Sequence, residues 1–314
     1  MAQNTVSRWS RPKLILFVSD LSESAKAILY ATSQAKLNGA KVLLVHFIPS
    51  HLQAAAGGLG TGSLSSEFGT VRAKMDQVAN EIQREGLLCE SVVLNGLPAE
   101  QLPALVKSRG VDRVIVATRI LGGVERMQEG SVAEDLMVSL EVPVFTIGPH
   151  AHPFTVSDAR PRQVLLATSF RAGSSVCTGF ASTFAELYEG QLTMLHVLDV
   201  GGMSKYQKEK ARDATRQRLS AYIPGEVNLR HPPVIAIHEG DPATAILERA
   251  GSSSDDLIVL GSPSSSVVSR ILTGNVVHQV VTEARCPVVT IKPTASTVRD
   301  VIRETFDREY HLHY

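Results

Sequence analysis

The residues best suited to chemistry in this chain lie in one serine-rich loop near its carboxyl end. The loop follows an apolar run that closes at Gly261, and Gly274-Asn275 then opens a helix. Glycine lets a backbone approach a ligand closely, and hydroxyls, amides and helix N-terminal N–H groups can hold an anion. The candidate anion-binding residues are Gly261, Ser262, Ser264, Gly274, Asn275 and Val276. The alternative is a plain turn and helix cap, because serine-rich loops are usually just solvated.

No catalytic or metal-binding set of residues accompanies this loop. Two histidine pairs, at 150/152 and 311/313, have a spacing that could chelate a metal, but neither has a clear third ligand, so we predict no metal site. His46 and His196 stand near the ends of apolar runs, which favours hydrogen-bonded structural histidines. The chain has no Gly-Lys pair and no G-x-S-x-G, and its glycine-rich segment 57–62 lacks the third glycine of G-x-G-x-x-G. We therefore predict a protein without catalytic residues.

The composition is that of an electrically neutral, folded protein. Its 314 residues favour two domains, and 31 basic against 31 acidic residues argue against a general attraction to nucleic acid or an anionic membrane. The three cysteines, Cys89, Cys177 and Cys286, form no C-x-x-C and predict buried thiols in a reducing compartment. No apolar run has the length of a membrane span or the features of a signal peptide. We expect a cytoplasmic protein.

Apolar runs alternate with helical segments through the first half. The predicted strands are Lys13–Ser19, Lys41–Ile48, Ser91–Leu94, Arg113–Ala117 and Val144–Ile147. The predicted helices between them end near Leu37, Arg84, Arg109 and Ser139. Asp20 precedes the first helix in an Asp-x-x-Glu arrangement with Glu23, which is typical of a plain N-cap, and segment 49–69 is predicted to be a mobile loop or a lid. Continuously apolar strands with right-handed crossovers predict a doubly wound parallel sheet.

The second half repeats this order after a linker over 149–161 that contains three prolines. The predicted strand Val164–Ser169, helix Ala172–Glu189 and strand Gln191–Leu198 match the first three elements of the first half. Residues match at an offset of 150 near His196 and of 144 further on, which is explained if the second half has a shorter loop after its second strand. These matches predict an internal duplication. Segment 294–314 has apolar residues at helical spacing and is predicted to be an amphipathic helix.

Several segments also resemble a known family. They are Ile15-Leu-Phe-Val-Ser-Asp-Leu-Ser-Glu-Ser-Ala, Leu43-Leu-Val-His, Leu192-Thr-Met-Leu-His-Val, Gly240-Asp-Pro and Cys286-Pro-Val-Val-Thr-Ile. In their order, spacing and duplication they resemble the universal stress protein family in its tandem, two-domain form. The resemblance covers about residues 12–148 and 162–292, with a linker at 149–161 and a helical tail at 293–314. It implies an α/β fold of two Rossmann-like domains (adenine nucleotide alpha hydrolase-like), each a five-stranded parallel sheet between helices.

Nucleotide-binding members of that family carry G-x2-G-x9-G-[ST] between the fourth strand and the next helix. They also carry an Asp after the first strand, near the ribose and metal. The second half keeps the spacing as Gly261-x2-Ser264-x9-Gly274-Asn275, and the serine and asparagine that replace family residues can still donate to a phosphate. The position of the Asp is expected to hold Phe170, which cannot bind a metal or ribose hydroxyls.

The first half departs from the family pattern in the opposite way. It keeps Asp20 and Gly130-Ser131, but Ala117 and Ile120 stand where the first two glycines are expected. A β-branched side chain at position 120 would occupy phosphate space and lacks the backbone freedom of glycine. Neither half is therefore expected to hold the complete family site.

The resemblance implies a non-catalytic stress-response protein with a regulatory or binding role. Its candidate ligand is ATP or another adenine nucleotide, held weakly by the second domain through the residues around Gly261, with Asp20, Gly130 and Ser131 as candidates in the first domain. No cofactor is required, and no nucleic acid or membrane partner is expected. The last strands, Val144–Ile147 and Val288–Ile291, are implied to pair the repeats as an intramolecular pseudo-dimer, and a homodimer is also possible. The alternatives are a slow ATP hydrolase with a metal at Asp20, or a binder of a non-nucleotide small ligand.

Overall fold

The computed structural model describes residues 9–19, 21, 25–48, 61–118, 132–154, 160–170, 174–225, 227–253, 256–262 and 276–294. The chain divides into two compact units, which consist of residues 11–159 and of residues 160–314 with 1–10. Within the described ranges, no helix has both the length and the apolar character needed to cross a membrane.

The first unit is a parallel sheet with helical crossovers. Its strands are β1 Leu14–Val18, β2 Lys41–Ile48, β3 Cys89–Asn95, β4 Arg113–Ala117 and β5 Val144–Ile147. Its helices are α1 Ala25–Asn38, α2 Thr61–Arg84, α3 Pro98–Arg109 and α4 Val132–Ser139. The strand order is β3-β2-β1-β4-β5, and every neighbouring pair is parallel.

The second unit repeats the same plan. Its strands are β6 Gln163–Ala167, β7 Gln191–Leu198, β8 Val234–Glu239, β9 Leu257–Gly261 and β10 Val288–Ile291. Its helices are α5 Ser174–Leu187, α6 Lys205–Ala221, α7 Pro242–Ser253 and α8 over 276–283. The parallel order β10-β9-β6-β7-β8 matches that of the first unit, which confirms the predicted fold class.

Each unit contains an equivalent pair of hydrogen bonds at the start of its central strand. The carboxylate of Asp112, just before β4, accepts the N–H groups of Lys13 (2.7 Å) and Leu14 (3.1 Å). Asp256, just before β9, accepts those of Arg162 (2.6 Å) and Gln163 (3.1 Å) in the same way. These N–H groups begin the central strand of each sheet, so each carboxylate fixes that strand against its neighbour.

The central strands lie in the core, and one charged residue lies there with them. The described interior of β1 and β4 is buried, including Ile15, Leu16 and Ile115. Arg113 is also fully buried at the start of β4, where its guanidinium lies 4.4 Å from the centre of the Phe145 ring. A buried guanidinium needs such partners because desolvation of a charge is costly.

One sequence-based boundary needs correction. The predicted loop over 49–69 is wrong in its second part, since α2 already begins at Thr61. The buried side chains of Met75, Ala79 and Ile82 anchor α2 on the sheet, and this packing outweighs the low helix propensity of Gly69. Residues 49–60 and the tail 295–314 lie outside the described residues.

The first part of the predicted linker packs on the first unit. The Lys26 ammonium on α1 donates to the carbonyl oxygens of Pro149 (3.3 Å) and Ala151 (2.7 Å). The Phe154 ring lies 5.0 Å from the ring of Tyr30 on the same helix. Residues 149–154 contain no helix or strand, in agreement with a linker.

Candidate functional site

The candidate site of each unit lies where the strand order reverses. The chain runs outward from β6 to β8 and then returns to the other side of β6 with β9. Ligands of open parallel sheets bind at such a point, beyond the carboxyl ends of the two strands. In the second unit these ends lead to Ser169 and Phe170 after β6, and to Gly261 and Ser262 at β9; Leu166 and Val259 are paired in register below them.

Gly261, the last residue of β9, leaves space at this edge. Among the described atoms, a Cβ added at Gly261 would approach only the Cys177 Sγ, at 3.8 Å, which is an ordinary contact. Packing of the described residues therefore does not demand glycine there, and a close approach by a ligand gives it a reason. The equivalent residue in the first unit is Ala117, because Ala117 pairs with Ile147 as Gly261 pairs with Ile291.

Ser262 cannot offer its backbone N–H to an anion. That N–H donates to the carbonyl oxygen of Ile291 at 2.8 Å and extends the β9–β10 pairing. Thr118 makes the equivalent bond to Ile147 at 3.0 Å. The Thr118 Oγ1 is buried without a hydrogen-bond partner among the described residues. In both units, the backbone N–H at this position is therefore used by the sheet.

His46 and His196 have equivalent structural roles in the two units. Nδ1 of His46 lies 2.7 Å from the carbonyl oxygen of Ser19, and Nδ1 of His196 lies 2.7 Å from that of Thr168. Since a carbonyl can only accept, each Nδ1 carries the proton in this contact. Both histidines bind the turn after the central strand of their sheet, so the predicted structural histidines are confirmed.

These bonds correct the alignment of Phe170. Ser19 and Thr168 are equivalent because each is bound by its histidine, and because their hydroxyls accept the N–H of Leu21 (3.1 Å) and of Phe170 (3.3 Å). Leu21 and Phe170 also share a left-handed backbone, with φ of 58° and 56°.

Phe170 is therefore the equivalent of Leu21, and Ser169 takes the position of Asp20. The expectation that Phe170 occupies the Asp position is wrong by one residue. Equivalent residues of the two halves lie 149 positions apart in the first strand and 150 positions apart in the second. The second half has one more residue between these two strands. Ser169 is exposed at the edge of the sheet, and its hydroxyl thus stands where the first half has the carboxylate of Asp20.

Phe170 lies at the centre of a cluster that the sequence did not predict. Its ring centre lies 4.5 Å from that of His196 and 5.3 Å from that of Tyr222. The guanidinium carbon of Arg218, near the end of α6, lies 4.2 Å from the centre of the Phe170 ring. We call Phe170, His196, Arg218 and Tyr222 the aromatic cluster. Only the position of Phe170 after a predicted strand could have pointed to it.

Val276 is the first described residue after the predicted loop. It belongs to α8, which lies between β9 and the parallel strand β10, so the helix must begin at the edge where β9 ends. This places Val276 on the same edge as Gly261. Asp20, Gly130, Ser131, Ser264, Gly274 and Asn275 lie outside the described residues, and their roles stay predictions.

The described ranges contain no metal-binding cluster, and the thiols of Cys89 and Cys177 are protonated at neutral pH. No group of three His, Cys, Asp or Glu residues within those ranges could hold a metal ion. The three cysteines, all within the described ranges, form no disulfide with one another; Cys177 and Cys286 are buried and Cys89 is half-buried. Burial raises the pKa of the Cys177 thiol to about 12 and that of Cys89 to about 11, so both stay protonated at neutral pH.

The duplicated architecture, with an equivalent histidine and an equivalent aspartate in each unit, agrees with the comparisons with known proteins. A model of the universal stress protein family matches residues 12–148 and again residues 161–292. The chain belongs to the universal stress protein family. A universal stress protein of Mycolicibacterium smegmatis is 25% identical over 296 residues, covering 89% of this chain and 97% of that protein. The double match confirms the predicted tandem form.

One solved structure supports the same fold over most of the chain. The crystal structure of a universal stress protein from Archaeoglobus fulgidus DSM 4304 covers 90% of this chain and 97% of its own, at 19% identity and a TM-score of 0.69. A structure of the universal stress protein from Archaeoglobus fulgidus in complex with dAMP covers 43% of this chain and 98% of its own, at 18% identity and a TM-score of 0.33.

Proposed function

We propose that this universal stress protein is a non-catalytic stress-response binding protein that holds an adenine nucleotide weakly in its second domain. Gly261 at the end of β9 carries the proposal, because a side chain is absent there at the switch point although packing of the described residues leaves room for one. A phosphate that approaches this backbone would meet the start of α8, whose N-terminal N–H groups favour anions.

The corrected alignment supports the second domain as the nucleotide site. Ser169, rather than an aromatic side chain, stands beside the β9 end in the place of the family carboxylate. A serine hydroxyl can donate to or accept from a ribose hydroxyl, but it is a poor ligand for Mg²⁺ compared with a carboxylate. Binding without a metal, and without the chemistry that a metal would support, follows from this exchange.

The test is calorimetric titration of the full chain with ATP, ADP and AMP, alongside native mass spectrometry of the purified protein. Adenine nucleotides are suitable probes because one family member has been solved with dAMP. We expect one nucleotide per chain, with binding unchanged when EDTA replaces Mg²⁺. Gly261→Val should abolish the heat of binding, because the branched side chain fills the approach to the backbone.

The matched control is Ala117→Val, which enlarges the equivalent position of the first domain. It should leave nucleotide binding intact, and the melting temperature of both variants should show that they fold. No heat with any nucleotide, or equal loss in both variants, would contradict nucleotide binding in the second domain. Metal-dependent release of ADP that Asp20→Ala abolishes would instead establish the hydrolase, and a co-purified ligand of another mass would identify a different small molecule.

A further inference from the structure

The other members of the aromatic cluster lie on the side of Phe170 that faces away from β9. The sheet order is β9, β6, β7, and neighbouring strands are about 4.8 Å apart. Gly261 ends β9, Ser169 and Phe170 follow β6, and His196 lies in β7. A nucleotide with its phosphates at Gly261 and its ribose at Ser169 would therefore extend its base toward Phe170 and Arg218.

The Phe170 ring already has neighbours of its own. Its contacts with His196 at 4.5 Å and with the Arg218 guanidinium at 4.2 Å are at stacking distance. Tyr222 meets the same ring at an angle of 66°, which is an edge contact. The half-buried Phe170 ring is thus held by these neighbours, and the Arg218 guanidinium lies over it.

Arg218 itself is exposed and pairs with no carboxylate in the part of the chain that the structure describes. One N–H of its guanidinium approaches the carbonyl oxygen of Phe170 at 3.5 Å, which helps to hold the group over the ring. By contrast, Arg216 on the same helix is ion-paired with Asp213 at 3.2 Å. A flat guanidinium held on an aromatic ring presents its outer face as a stacking surface for a planar base.

We propose that Arg218, supported by Phe170, is the base-stacking residue of the second domain and that it gives this domain its preference for an aromatic nucleobase. This inference rests on the proposed nucleotide site. Phe170 and Tyr222 act as positioning residues, because they hold the guanidinium flat and do not themselves meet the ligand. The first domain has Leu21 in place of Phe170 and lacks this ring.

The experiment measures the affinity of the full chain for ATP and for tripolyphosphate, which carries the phosphates without the base. Arg218→Lys keeps the charge and removes the planar group, while Arg218→Ala removes both. We expect both variants to bind ATP about fivefold more weakly, as the loss of one exposed cation–π stack would give. Their affinity for tripolyphosphate should stay within twofold of the wild type. Arg216→Lys is the matched control and should bind both ligands as the wild type does.

Phe170→Leu installs the residue of the first domain and tests the support. It should weaken ATP binding in the same direction as Arg218→Lys, whereas stronger binding would mean that the ring obstructs the base and would overturn the proposal. Wild-type ATP affinity in Arg218→Lys together with a loss in Arg218→Ala, or an equal loss for ATP and tripolyphosphate, would assign Arg218 to phosphate binding and overturn the proposal too. If the wild type binds ATP but no Arg218 variant changes it, only this inference fails; if the wild type binds no nucleotide, the proposed function fails with it.

Discussion

The repeated aspartates offer a test of the fold in which one domain serves as the control for the other. Asp112 and Asp256 each accept two N–H groups at the start of a central strand, with nearly the same distances. Their surroundings differ, since Asp112 is only 2% exposed while Asp256 is half-buried. Replacing either residue by alanine removes the same bonds from two different environments.

The magnitude follows from burial. The Asp112 carboxylate is almost fully buried, and hydrogen bonds to a charged group contribute about 1.5–3 kcal/mol, so Asp112→Ala should cost about 3 kcal/mol. Water can replace the lost acceptor beside Asp256, and Asp256→Ala should cost only about 1 kcal/mol. A difference of about 2 kcal/mol means that Asp112→Ala raises the opening constant of β1 by a factor about thirtyfold greater than Asp256→Ala raises that of β6.

Hydrogen exchange is the suitable assay because two domains need not unfold in one step. Peptides that contain β1 should exchange much faster in Asp112→Ala, while peptides that contain β6 keep the wild-type rate. Asp256→Ala should produce a smaller effect that is confined to β6. Equal acceleration in the two variants would refute the argument that burial sets the cost, and no acceleration in either would refute the role of the carboxylates.

Two further predictions concern pH and helix capping. Burial raises the pKa of the Cys177 thiol in the folded state above its usual value of 9.0 to about 12, so its stabilising contribution is complete below pH 9 and is lost as the pH rises toward 12. Melting temperatures of the wild type should fall over that window, and Cys177→Ala should fall less. Asp241 accepts the N–H and the hydroxyl of Thr244, both at 2.8 Å, at the start of α7. Asp241→Ala should cost about 1 kcal/mol in urea unfolding and Asp241→Ser little, since serine is also a good N-cap; equal costs would refute capping.

The sequence predicted most of the fold because the buried strands of a parallel sheet are apolar along their whole length. Lys41–Ile48, Arg113–Ala117, Val144–Ile147 and Gln191–Leu198 agree with the structure at both ends. Errors arose where local propensity and packing disagree, as at the start of α2. The pairing of β5 with β10, the cytoplasmic location and a homodimer stay predictions.

The candidate site was less predictable, because a sequence repeat does not reveal where a single residue has been gained or lost. The offset of 150 aligned Asp20 with Phe170, and only the hydrogen bonds of His46 and His196 showed that Ser169 is the equivalent residue. The neighbours of Phe170 were equally hidden, since Arg218 is 48 residues away along the chain. Contacts of that kind depend on how a helix packs against a strand end.

The sequence by itself thus determined the duplicated α/β architecture and the family, since these depend on local pattern and repetition. The tertiary structure alone decided which side chains meet at the edge of the sheet. It placed a charged Arg113 in the core beside Phe145, and it brought Arg218 over Phe170 beside the candidate nucleotide site. The physical reason is that the cost of desolvating a cation, and its gain from an aromatic ring, depend on neighbours that only folding brings together.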